Sequence, residues 1–144
     1  NSSYSRIPKD WNFNLVLQYK TVIYDDLVFQ PLYTNITVEN RTFIVNQFIG
    51  SCNGASYNLK GNYNTNNKIP TFNTQISVSN FDIQKNYTSS ALVRNWAPSA
   101  ADAFGVVKLD YNLSGKLNRD YTPIFESLIG EGDITISNAK INGM

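Results

Sequence analysis

Apolar and polar residues trade places along most of this chain. Phe13, Leu15, Leu17 and Tyr19 alternate with Asn12, Asn14, Gln18 and Lys20, interrupted only by Val16. Leu32, Thr34, Ile36 and Val38 repeat the pattern, and Phe72, Thr74, Ile76 and Val78 do so again. Successive side chains of a strand point to opposite faces, so each run predicts a strand with one apolar and one wet side. The cleanest run is VKLDYNLSGKL, residues 107–117. It sets Val107, Leu109, Tyr111, Leu113 and Leu117 on one face and Lys108, Asp110, Asn112, Ser114 and Lys116 on the other. A strand of that length suits a large curved antiparallel sheet. Phe43–Ile49 is apolar enough for a more buried strand, and Gly61, between Leu59 and Tyr63, marks a bulge or a close backbone approach.

The alternation slips at one recurring phrase. Residues 76–83 read ISVSNFDI, residues 134–141 read ITISNAKI, and residues 36–40 begin alike as ITVEN. Asn tolerates left-handed backbone angles, so Asn80, Asn138 and Asn40 mark places where the chain changes element. After Asn80, Asp82 can cap a helix from Ile83 towards Trp96 that Pro98 ends, with Ile83, Tyr87, Ala91 and Leu92 as its stripe. Asn40-Arg41 predicts a turn between strands. The second copy predicts that the natural chain continues beyond Met144. A further short helix is expected with Thr122 as N-cap, Pro123 at its first position and Gly130 just past its end. Its apolar side is Ile124, Phe125, Leu128 and Ile129. These elements give an α+β, β-dominated fold: a long, twisted, mostly antiparallel sheet, as an open groove or half-barrel, with about two short helices packed on or capping it.

Composition removes several chemistries. The chain has 144 residues, a net charge of +1 and no run of Lys or Arg, which argues against a nucleic-acid partner. No apolar stretch reaches the roughly 18 residues of a membrane span. There is no His, so neither Ser-His-Asp catalysis nor ordinary zinc ligation is available, and the one cysteine, Cys52, reads as a small buried filler. No metal or cofactor is expected. Asp25-Asp26 reads as a turn rather than an acid–base pair, and GSCNGASYNLKG and Ser114-Gly115-Lys116 lack the ending of a phosphate loop. Twenty residues are Asn, and the sequons at Asn1, Asn35, Asn40, Asn86 and Asn112 follow from that richness more simply than from glycosylation. The aromatic residues fall on the apolar phase, as core or groove lining. Pattern alone leaves two readings of the apolar face: an ordinary core, which it favours, or a partly open trough for acyl chains.

A resemblance shifts that balance. NFDI, a helix with WAPSA, then YNLSGKLNRDYTP and ESLIGEGDITISNAKING follow one another in an order that resembles the C-terminal part of the AsmA family in Bacteroidetes-like sequences. The matching elements are Ser114-Gly115-Lys116-Leu117, Asp120, Pro123, Gly130-Glu131-Gly132 and the strand Ile134 to Ile141. The likeness covers about residues 72–144 and is looser over 10–65. It is carried by turn and cap residues, and the chain shows no N-terminal membrane helix. The resemblance implies a periplasmic protein anchored to the inner membrane through a segment not in this chain. It also implies a part in outer-membrane assembly or phospholipid transport, and offers no catalytic residues to carry over.

The resulting expectation is a single β-rich domain over 1–144, a piece of a longer envelope protein with a strand-rich first half (10–65) and an AsmA-like second half (66–144). It is non-enzymatic, with phospholipid or other acyl-chain lipids, and envelope proteins, as partners. The expected groove-lining residues are Ile76, Val78, Val107, Leu109, Tyr111, Leu113, Ile134 and Ile136. The alternative is a secreted or cell-surface β-rich module that contacts protein or glycan. A third reading, a glycosidase built on two carboxylates, needs such a pair in a cleft.

Overall fold

A computed structural model describes residues 6–141, so Asn1 and the stretch Asn142, Gly143 and Met144 lie outside the described residues. The strands are β1 (Phe13–Tyr19), β2 (Val22–Tyr24), β3 (Leu27–Glu39), β4 (Thr42–Cys52), β5 (Ala55–Asn64), β6 (Thr71–Asp82), β7 (Ala103–Lys116) and β8 (Ile129–Ile141). Between β6 and β7 lie α1 (Ile83–Ser89), α2 (Ala91–Trp96) and a 3₁₀ turn over Pro98–Asp102. All described strands join one open antiparallel sheet in the order β1-β3-β4-β5-β6-β7-β8, with β2 extending the β1 side of β3. The strands follow the order of the sequence, as expected where short turns join antiparallel neighbours. β7, at 14 residues, spans roughly 46 Å.

The turns explain why the chain reverses where it does. Asn40 and Arg41 both take positive φ (50° and 56°), the geometry of a two-residue hairpin whose twist matches the strands it joins. Asn53-Gly54 does the same between β4 and β5, at φ 52° and 80°. Asp25 (φ 55°) turns β2 into β3, as the Asp-Asp pair led one to expect. Asp26 has a further role: its carboxylate accepts the backbone N–H of Ala91 at 2.8 Å and so fixes the start of α2.

The structure corrects the reading of the repeated phrase: Asn80 and Asn138 lie inside β6 and β8 rather than at a change of element. Asn80 and Asn138 both sit at φ 56°. Around Asn80 the pairing jumps from Val78↔Leu109 to Phe81↔Val107, so Ser79 and Asn80 together oppose Lys108. Around Asn138 it jumps from Val106↔Ser137 to Phe104↔Lys140. Both are β-bulges, each absorbing one extra residue while the strand continues. The slip in the alternation is thereby cancelled, and Phe81 returns to the face of Val78.

Two helical expectations need correction. The predicted helix from Ile83 towards Trp96 is broken at Ser90, which is extended (φ −130°, ψ 120°). The Ser90 N–H donates to the Asn86 carbonyl at 3.0 Å, and its Oγ accepts from the Val93 N–H at 3.4 Å, so one residue closes α1 and opens α2. Asp82 caps α1 as expected, accepting from the Lys85 N–H at 2.9 Å. The helix expected after Pro123 shrinks to a single 3₁₀ turn, Phe125–Ser127. The end of β7 competes for its backbone: Ile124 N–H donates to Lys116 O at 2.9 Å, and Lys116 N–H donates to Ser127 Oγ at 2.8 Å. Thr122 instead donates its N–H and hydroxyl to Asp120, at 3.1 and 2.6 Å. Gly130 is a strand residue of β8 rather than a helix terminator.

Candidate functional site

The register assembles one apolar face across the sheet. Leu15↔Ile36↔Val45↔Gly61↔Thr74↔Leu113↔Gly130 forms one cross-strand row. Phe48↔Leu59↔Ile76↔Tyr111↔Gly132 forms another, and Tyr57↔Val78↔Leu109↔Ile134 a third. The opposite face carries Asn58, Lys60, Asn62, Asn73, Gln75, Ser77, Lys108, Asp110, Asn112, Glu131 and Asp133. All the expected lining residues share the apolar side: Ile76, Val78, Val107, Leu109, Tyr111 and Leu113 are half-buried, and Ile134 and Ile136 are exposed. They line its β6–β8 half, whereas sequence reasoning left out the deeper half on β4 and β5.

That deeper half holds a hollow of about 350 Å³ lined by Phe43, Val45, Phe48, Leu59, Tyr63, Phe72, Thr74 and Leu117 with the Gly61 backbone. Its shape follows from two local features. β4 bulges at Asn46, and opposite the bulge Gly61 runs so close to β6 that a Cβ there would lie 2.5 Å from the Asn73 carbonyl oxygen. Of the two expectations at Gly61, the close approach is present at the glycine itself, and the bulge lies across from it on β4. Phe29, Phe48 and Tyr57 meet edge to face at 6.2 and 6.3 Å beyond the hollow, and Phe29 lies over Gly50. Burial, with a smaller electrostatic contribution from the neighbouring Cys52, pushes the Tyr57 phenol up to about 12, so this ring meets a ligand as a neutral surface.

Among the described residues the trough is covered at its ends. At one end Cys52 and Ala55 are buried, the expected filler role for that cysteine, and α1 reaches the same end through Lys85, whose Nζ lies beside Gly54. At the other, Gly115 leaves room for Leu128 and Ser127 of the 3₁₀ turn, and Tyr63 packs against the exposed Tyr121 ring at 6.1 Å. Between them no helix lies over the face among the described residues. On β3 the face is nonetheless buried: Leu32, Thr34 and Val38 are 9%, 7% and 3% exposed. The arrangement offers broad apolar contact and aromatic edges rather than converging catalytic groups.

The polar face has one feature of chemical interest. Asp110 and Asp133 stand directly opposite each other on β7 and β8, beside Glu131 and Ser77, and Ser77 Oγ donates to Asp110 at 2.7 Å. Asp110, Glu131 and Asp133 line a hollow of about 400 Å³ on this face, and both Asp110 and Asp133 are exposed there, whereas a glycosidase encloses the sugar between its two carboxylates. Elsewhere on this face Asn14 and Asn46 both donate to Asn35 and Thr37, tying β1, β3 and β4 together. Among the sequons, Asn86 is 2% exposed with its Nδ2 donating to Asp82 O, which leaves that amide closed to a glycan. No group of His, Cys, Asp or Glu among the described residues forms a metal site, and no helix there is long and apolar enough to cross a membrane. Neither a family model, nor a curated protein, nor a solved structure matches this chain.

Proposed function

We propose that this chain is a non-enzymatic segment of an AsmA-like envelope protein whose apolar sheet face receives the acyl chains of phospholipids. The observation that carries the reading is the apolar face: rows of Leu, Ile, Val, Phe and Tyr cross the sheet, and among the described residues no second layer lies over their middle. A soluble protein rarely leaves a large contiguous apolar surface without a use for it. Acyl chains gain roughly 0.8 kcal/mol per buried CH₂ on such a face, and they need no directional partner there. Passive contact of this kind lets a lipid slide along the strands without a covalent step or cofactor. In this reading the protein works in the periplasm, held to the inner membrane by a segment outside this chain, and serves phospholipid transport or outer-membrane assembly alongside other envelope proteins.

The test is lipid retention. The chain is incubated with phospholipid, repurified without detergent and extracted for mass spectrometry, beside Leu109→Asp, Ile136→Asp and a polar-face control, Lys108→Asp. The reading expects lipid on the wild type and the control and little on the two apolar-face variants, all four remaining folded by circular dichroism. Wild type without lipid, or equal lipid on all four, refutes it.

A further inference from the structure

We infer that the outer edge of β8 is a self-association surface, through which two copies of this chain pair β8 to β8, antiparallel, about a twofold axis at Thr135. β8 has 13 residues, all exposed, and among the described residues it pairs only with β7. A strand edge of this length presents a row of backbone N–H and C=O groups that seek a partner. It carries the bulge at Asn138 and the charges of Glu131, Asp133 and Lys140, but no Pro, and Ile129, Ile134, Ile136 and Ile141 are 47–73% exposed. β1, on the opposite edge, has 7 residues.

The sequence of β8 complements itself. With Asn138 bulged out, an antiparallel pair centred on Thr135 places Ile134 opposite Ile136, Gly132 opposite Ala139 and Gly130 opposite Ile141 of the second copy. On the polar side it places Glu131 opposite Lys140, with Asp133 on the diagonal, and does so twice by symmetry. Other registers lose this match. Centring on Asp133 sets that carboxylate against its own copy, centring on Ser137 leaves Lys140 opposite Thr135, and centring on Ile136 pairs Lys140 with Asp133 but leaves Glu131 beyond the paired strand. A bulged strand bonded on both sides is already present in this sheet: Asn46 of β4 is unpaired towards β3, and Asn46 and Gln47 together oppose Lys60 of β5. A twofold axis normal to the sheet keeps both apolar faces on the same side, so the dimer lengthens one continuous apolar face. The inference depends on the edge alone and stands or falls apart from lipid binding.

Sedimentation equilibrium of the chain tests it. The wild type is expected to be a monomer–dimer system. Glu131→Lys or Lys140→Glu, each replacing two attractive pairs by two repulsive ones, is expected to weaken dimerisation about tenfold or more, and the double swap E131K/K140E to restore it. Thr135→Cys is expected to cross-link to itself under mild oxidation while the buried Cys52 does not. A monomer at every concentration, single swaps without effect, rescue through Asp133→Lys instead of Glu131→Lys, or open-ended growth past the dimer each overturns it.

Discussion

Replacing Asn80 by Val isolates the cost of the left-handed joint that the repeated phrase encodes. Asn80 is exposed and holds φ 56°, so a substitution there changes the backbone preference while removing little packing. The left-handed region costs an ordinary L-residue about 1–2 kcal/mol, and a β-branched side chain fits it worst, whereas Gly enters freely. Asn80→Val is therefore expected to lose about 1–2 kcal/mol, and Asn80→Gly to stay within about 0.5 kcal/mol of the wild type. Asn138, with the same φ and the same exposure, is expected to behave alike. Asn58→Val and Asn73→Val serve as controls, since both residues are exposed in regular strand positions where Val suits the backbone, and neither is expected to lose stability. Urea unfolding followed by circular dichroism reads the differences as midpoint shifts at constant slope. If Asn80→Val is as stable as Asn73→Val, or if Asn80→Gly is as costly as Asn80→Val, the bulges do not depend on the left-handed residue and the reasoning fails.

Gly61→Ala is expected to cost about 1–3 kcal/mol in the same assay, because its Cβ meets the Asn73 carbonyl and Thr74 Cα, backbone atoms that cannot rotate aside. Asp133→Asn is expected to stabilise the fold by about 0.2–1 kcal/mol by relieving the like charge opposite Asp110, the gain shrinking as salt is added. The Tyr57 phenol, ordinarily near 10, is raised to about 12 in the fold, so the folded chain holds this proton more tightly than the unfolded one. Its contribution, discounted to about 1 kcal/mol for partial exposure, is whole below pH 10 and is lost as pH rises from 10 to 12. Tyr57→Phe is expected to flatten that part of the stability–pH curve, and an unchanged curve counts against the burial of the phenol.

Period-two alternation carried most of the fold because one face of each strand is apolar and the other wet. Phe13 to Tyr19, Leu32 to Val38, Phe72 to Val78 and Val107 to Leu113 all fall on one side of the sheet, and the site residues chosen from the pattern share it. Asn40-Arg41 was legible as a turn for a local reason too, since Asn tolerates positive φ, whereas the positive φ of Arg41 was not legible. What the sequence hid was decided by distant partners. The cap and Pro at Thr122-Pro123 are sound helix signals, yet the Lys116 backbone captures the segment, and a helix of so few residues has too little cooperativity to resist. The start of α2 just after Ser90 is held by Asp26, 65 residues before Ala91. The hollow around Phe43, Phe48 and Phe72 was missed because it arises from a bulge facing a glycine across two strands, a coincidence of register that no single stretch displays.

Photolabelling with a phospholipid that carries a diazirine in its acyl chain, mapped residue by residue along β7, tests the central claim most directly. The strand exposes both of its faces, so its alternate residues are their own control. The account predicts label on Val107, Leu109, Tyr111 and Leu113 and none on Lys108, Asp110 and Asn112. Label on both sets, or on neither, contradicts an apolar face that receives lipid tails.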